Sequence, residues 1–213
     1  MSDVLVVHDL GTAGGAPWSD AFRRVGLEVD APDLPGHGDA PPAVGGHHEL
    51  GDIVFDLLDH LDDAARPCVV GVGRSGNAAR LLALGGRASA LVLVDGLGGP
   101  WLDISERNRV LRDLRRQILA MPAALAPPAA GTVDVRADLV LGQSDRPHVV
   151  RSLAAVPVPT LVVETPASPT PDADEVAGVI PDHELVRVDD QGLETVAAVV
   201  DRWLTTRSSP RSG

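Results

Sequence analysis

The sequence predicts a three-layer α/β/α sandwich on a mostly parallel, doubly wound sheet, and three observations predict it. Short β-rich runs alternate with helical patterns along nearly the whole chain, the order that strand–helix–strand crossovers generate. The runs are continuously apolar rather than alternating, as suits strands covered on both faces. A glycine-crowded turn, Gly71-Val72-Gly73-Arg74-Ser75-Gly76, joins one such run directly to a helical one.

In chain order the candidate strands are Val4–Val7, Leu27–Asp30, Cys68–Gly71, Ala90–Val94, Thr160–Val163 and Glu184–Val188. Between the second and third, Leu50, Ile53, Val54, Leu57, Leu58 and Leu61 recur at helical spacing and form one apolar face. After the turn, Ala78-Ala79-Arg80-Leu81-Leu82-Ala83-Leu84 is a good helix former. A helix through Glu175–Val179 precedes the last strand, and Val196, Val199, Val200, Trp203 and Leu204 mark a final one.

The rhythm breaks from Gly98 to Pro157. An Arg-rich amphipathic helix over Ile104–Met121, a Pro/Ala-rich loop over Pro122–Gly131, a short stretch Ala137–Leu141 and a weaker helix near Val149–Ala154 read as a small helical lid between two strands. The division is a core of residues 1–97 and 158–205, a lid of residues 98–157, and a polar tail of residues 206–213 expected to be disordered.

Composition bounds the function. The 213 residues suit one domain with a small insertion. A formal net charge of −12 argues against nucleic acid or an anionic membrane surface, which call for a basic face. No apolar run approaches the ~18–20 residues of a membrane span. Met1-Ser2-Asp3 ahead of the first strand lacks the basic start of a signal peptide. The one cysteine, Cys68, rules out an internal disulfide and points to a reducing cytoplasm. Inside an apolar strand it reads as a small hydrophobe rather than a catalytic thiol.

Val4-Leu5-Val6-Val7-His8-Asp9-Leu10-Gly11 is similar to a strand followed by an H-G-x-G oxyanion loop. Ala31-Pro32-Asp33-Leu34-Pro35-Gly36-His37-Gly38 closely matches an A-P-D-L-P-G-H-G signature. Together with Leu91–Gly96 and Val158–Val163, these stretches resemble the α/β-hydrolase superfamily, and the resemblance runs from about Val4 to Leu204. It implies an N-terminally shortened version of that fold. On that resemblance the two strands that normally come first are expected to be missing, with a sheet of about six parallel strands.

The resemblance also implies where a nucleophile, an acid and a base would stand, in the order Ser, Asp or Glu, His. Laid on G-x-S-x-G from Gly71, the nucleophile position is Gly73, which has no side chain to attack anything. Laid from Gly73, the nucleophile is Ser75, but the closing glycine becomes Asn77. The first register fits the downstream helix, the distance to Leu91–Asp95 and the placing of Pro67 better. Ser75 then reads as a helix N-cap.

The acid slot after Thr160–Val163 holds Glu164, a little early, with Asp172 and Asp174 a little late; Asp95 is an alternative acid. Where the family has Gly-His, this chain has Gly192-Leu193, and leucine accepts no proton. None of His8, His37, His47, His48, His60, His148 or His183 stands where it would replace that base. Asp9 takes the place of the oxyanion-loop glycine, and a carboxylate there opposes stabilisation of negative charge. The amides of Leu10 and Arg74 could still form an anion-binding nook, with the Arg74 guanidinium holding a carboxylate-bearing ligand.

Two weaker patterns remain. His47-His48-Glu49 hints at metal, but adjacent residues diverge and a solvated helix start accounts for them; no metal or cofactor is expected. Gly71-x-Gly73-x-x-Gly76 echoes a dinucleotide fingerprint. The expectation is therefore a protein of this superfamily with a degenerate triad, silent or impaired in catalysis. It would bind a small organic molecule or a protein partner around His8, Asp9, Leu10, Gly73 and Arg74. The competing expectations are a serine esterase using Ser75, and nucleotide binding at Gly71–Gly76.

Overall fold

The computed structural model describes residues 3–9, 14–35, 37–41, 50–96, 146–166 and 173–208. Six strands form one sheet: β1 (Val4–Val7), β2 (Val29–Asp30), β3 (Cys68–Val72), β4 (Ala90–Val94), β5 (Thr160–Glu164) and β6 (His183–Arg187). Their order is β2-β1-β3-β4-β5-β6, and every neighbouring pair is parallel. The described helices are α1 (Ala16–Arg24), α2 (Leu50–His60), α3 (Gly76–Leu84), α4 (Arg146–Ala154), α5 (Ala173–Val179) and α6 (Leu193–Ser208).

Alternation along β1 shows why continuous apolar runs were needed. Leu5 and Val7 face a core with Ile53 and Leu57 of α2, Leu82 of α3, Leu153 of α4 and Val176 of α5. Val4 and Val6 face the other, with Trp18 and Phe22 of α1 and Val196, Val200 and Trp203 of α6. Both faces of each inner strand are therefore covered, and a polar residue on either would be buried. Cys68 lies in the second core, where burial pushes its thiol up to about 12. It is inert at neutral pH, because the thiolate is the reactive form.

Several boundaries differ from the sequence expectation, each for a physical reason. Leu27 and Glu28 stay outside β2, which pairs only through Val29 and Asp30. The last strand spans His183–Arg187 and lies at the sheet edge, where it is half exposed. It did not need the doubly covered character assigned to it. The lid-side helix starts at Arg146 rather than Val149, with Val149 and Leu153 packed into the first core. The final helix continues to Ser208, through residues first read as the start of a tail; Arg207 there pairs with Asp182 and lies over the Trp203 ring. Residues 209–213, the expected lid helix, loop and short stretch of residues 104–141, and Leu10, His47, His48, Glu49 and Asp172 lie outside the described residues.

The strand order reverses direction between β1 and β3. The C-terminal ends of strands at such a reversal are where open α/β sheets generally place ligands. Val7 pairs with Gly71, so two residues further along each chain Asp9 meets Gly73. No helix among the described residues is long and apolar enough to cross a membrane.

Candidate functional site

The turn after β3 is set by two glycines. A Cβ on Gly71 would fall 2.6 Å from Ala79 Cβ and 2.6 Å from Gly76 Cα, so its absence lets α3 pack directly on the strand. A 3-10 turn, Gly73–Ser75, then leads into α3. Gly73 is the left-handed residue of that turn, with φ +52°. Gly73 thus opens the turn, and Ser75 ends it directly before α3. The close approach between strand and helix is made at Gly76, one residue beyond the expected closing position.

Asp9 reaches over this apex. Its Oδ1 accepts the Arg74 N–H at 3.0 Å, and the Arg74 Nε lies 3.9 Å from the same oxygen. A Cβ on Gly73 would stand 2.7 Å from Asp9 Cγ. The Asp9 side chain is 26% exposed and that of Arg74 32%, so the pair is partly open to solvent beyond the C-terminal ends of β1 and β3. The sequence expectation gave Arg74 an external carboxylate to hold. The carboxylate beside it is the chain's own.

Ser75 is buried, and its Oγ has no hydrogen-bond partner among the described residues. It occupies the N-cap position of α3 without a side-chain capping bond, so the capping role expected of it is not played. A serine nucleophile needs a base within hydrogen-bond reach, and no described residue supplies one.

The candidate acids are engaged elsewhere. Asp95, left-handed at φ 56°, accepts the Thr165 N–H and the Thr165 hydroxyl, each at 2.8 Å. It ties the end of β4 to the end of β5. Glu164 and Asp174 both receive Arg187, through Nε at 2.7 Å and a terminal nitrogen at 2.7 Å. Those two carboxylates hold the guanidinium charge and raise its pKa. Asp174 is therefore an exposed ion-pair partner of β6.

The base slot holds packing and capping groups. Leu193 packs against the second core. Asp190 accepts the Gly192 N–H at 2.6 Å and the Thr195 hydroxyl at 2.9 Å, which fixes the start of α6. His8 is fully buried: its Nδ1–H donates to the Asp9 carbonyl at 3.0 Å, and its Nε2 accepts the Leu34 N–H at 3.0 Å. The second bond ties the end of β1 to the segment after β2. His37 donates to the Pro35 carbonyl at 3.1 Å and packs edge-on to His8, with centroids 5.1 Å apart. His60 pairs with Asp30 at 2.6 Å. His183 donates to the Ile180 carbonyl at 2.7 Å, at the start of β6 and away from the crest.

Two side chains escaped the sequence reading. Asp33 Oδ1 accepts the Gly15 N–H at 2.7 Å and its Oδ2 the Asp39 N–H at 2.9 Å. These amide bonds, that to Asp39 first, hold its pKa below the ordinary carboxylate value. Arg80 is fully buried on α3; it donates to Asn77 Oδ1 at 3.2 Å and to the Ser152 hydroxyl of α4. Burial lowers its guanidinium to about 10. A lone Arg in an Ala/Leu helix was the available signal. Among the described residues no group of three His, Cys, Asp or Glu side chains could hold a metal ion.

No protein-family model matches the sequence, and no curated protein matches it. Solved structures do. The chain is similar to a thermophilic esterase from Thermogutta terrifontis at 23% identity and a TM-score of 0.70, over 97% of this chain and 90% of that one. It is similar to the enol-lactonase from Burkholderia xenovorans LB400 at 18% identity and a TM-score of 0.68, over 96% and 92%. NosK from Streptomyces actuosus aligns at 20% identity and a TM-score of 0.69, over 98% and 100%.

Proposed function

We propose that this chain, which has the α/β-hydrolase fold, performs no serine acyl transfer and keeps the crest of its sheet as a binding place for a small organic ligand. One observation carries the reading. At the elbow, where acyl transfer needs a hydroxyl facing an open oxyanion site, Gly73 has no side chain and Asp9 occupies the Arg74 amide. A developing oxyanion would find its donor already taken by a negative charge. Further support comes from Leu193 in the base slot and from a Ser75 hydroxyl buried without a partner among the described residues. The activities named for the similar esterase and enol-lactonase would require a base for Ser75 that no described residue supplies.

The test uses p-nitrophenyl acetate and butyrate with wild type and Ser75→Ala. Both proteins should release nitrophenol no faster than buffer. Enzyme-dependent turnover lost in Ser75→Ala would establish the esterase and overturn the reading. Turnover equal in both proteins would overturn it too, by demanding another nucleophile.

A further inference from the structure

We propose that the outer edge of β6 is an interface at which a second copy of this chain adds antiparallel to the first, across a two-fold axis through Leu185. The proposal is independent of the crest and of what binds there.

Of the two edges of the sheet, β2 offers two residues and β6 five. Edge strands are commonly kept from pairing by shortness, proline or lysine. β6 is full length, and His183-Glu184-Leu185-Val186-Arg187 contains neither residue. Arg187, its one arginine, is drawn back over the sheet by Glu164 of β5 and Asp174 of α5. The bonds to β5 fix which backbone groups look outward. The Asp182 carbonyl accepts the Thr160 N–H at 2.9 Å, and the Val188 N–H donates to the Glu164 carbonyl at 3.0 Å. Even-numbered residues therefore face β5. The N–H and C=O groups of His183, Leu185 and Arg187 point the other way, where no described strand pairs with them. Such a row is a template for a further strand.

An axis through Leu185 uses the whole row. Leu185 exchanges both bonds with the second copy's Leu185, and His183 does so with its Arg187. Axes through Glu184 or Arg187 would set like charges opposite each other, which is destabilising. An axis through Val186 would carry His183 past the end of the opposing strand. Leu185 and Val186 are only partly buried within one chain, and pairing removes more of their apolar surface from water. The axis also keeps both α6 helices on one face of the joined sheet. On that face each copy has a groove beside β6, lined by Val186, Val199 and Trp203 with Glu184 and Arg202. The groove holds both signs of charge, so it is complementary to a two-fold copy of itself.

Sedimentation velocity of the full chain between about 1 µM and about 1 mM should show a monomer–dimer equilibrium. Leu185→Lys sets two ammonium groups at the axis while its stem still covers the core, and should weaken the dimer about tenfold or more. His183→Pro deletes an outward N–H and should also weaken it, which preserves the test if Leu185→Lys does not fold. Leu185→Cys should form a covalent dimer under mild oxidation, because hydrogen-bonded antiparallel neighbours stand about 5.5 Å apart at Cα, within disulfide reach. Glu184→Cys, displaced from the axis, should cross-link far more slowly. The native Cys68 is buried and does not compete. A chain that stays monomeric throughout would overturn the proposal. So would a dimer indifferent to the folded Leu185→Lys or His183→Pro variant, or Glu184→Cys cross-linking as fast as Leu185→Cys. The ester assay decides the earlier reading separately.

Discussion

The Asp9 carboxylate stands where a side chain on Gly73 would stand: a Cβ there would lie 2.7 Å from Cγ and 2.8 and 2.9 Å from the two oxygens. A side chain at position 73 therefore requires the Asp9 carboxylate to swing aside and give up the Arg74 amide. Gly73→Ser should cost about 1–2 kcal/mol for the left-handed backbone, plus about 1.5–3 kcal/mol for the lost charged hydrogen bond. Asp9→Gly should relieve the second part. Urea denaturation of both single variants and the double variant should give a coupling of about 1–3 kcal/mol. Additive losses would show that Asp9 does not fill the elbow.

Ser75→Ala tests the buried hydroxyl from the side of stability. A hydroxyl without a partner carries an uncompensated desolvation cost of about 1–3 kcal/mol, so removing it should leave stability unchanged or raise it by up to that amount. A loss beyond about 1 kcal/mol would reveal a hydrogen bond that the geometry does not contain.

Much of this was legible in the sequence because two-sided burial leaves a strong mark. Val4–Val7 and Ala90–Val94 are continuous apolar runs, and both strands have the bounds read from sequence. Gly73 at the turn was also legible, through the spacing of Gly71, Pro67 and the helix after it. The partner of Arg74 was not. Asp9 and Arg74 are far apart in the chain, and their meeting depends on the register of β1 on β3, which no local pattern encodes. The exposed edge strand β6 misled for the opposite reason: its Leu185 and Val186 read as fully buried, but each is only partly covered, Leu185 by the first core and Val186 by the second. Asp95, Glu164 and Asp174 all read as candidate acids, and only their neighbours Thr165 and Arg187 distinguish their roles.

Asp95 is a structural clasp, and its substitution should show it. Asp95→Ala deprives the Thr165 amide and hydroxyl of their 2.8 Å acceptors and leaves a non-glycine residue at φ 56° without the side chain that tolerates it. Hydrogen bonds to a charged group contribute about 1.5–3 kcal/mol, so a loss of at least about 2 kcal/mol is expected. Asp95→Asn, which keeps one acceptor and tolerates the left-handed region, should lose less. Equal stability of Asp95→Ala and wild type in urea would refute the clasp.

His8 gives the fold a dependence on pH with a definite sign. Burial is the largest cause lowering its pKa from 6.5, and the nearby His37 adds to it; the hydrogen bond to the Asp9 carbonyl and the charge of Asp33 oppose. The unfolded chain therefore takes up the proton first as pH falls. The neutral ring's contribution is complete above pH 6.5 and is lost as pH drops from there through the lower folded value. In that window stability should fall by up to about 1.4 kcal/mol per pH unit. The lowered pKa of Asp33 acts in a separate window: its contribution is complete above 3.8 and is lost as pH falls through its folded value. Denaturation between about pH 7 and 5 should show the His8 slope. His8→Gln, whose amide can still donate to the Asp9 carbonyl and accept from the Leu34 N–H, should flatten it. A His8 ring resonance titrating above 6.5, or an unchanged slope in His8→Gln, would remove His8 as the source.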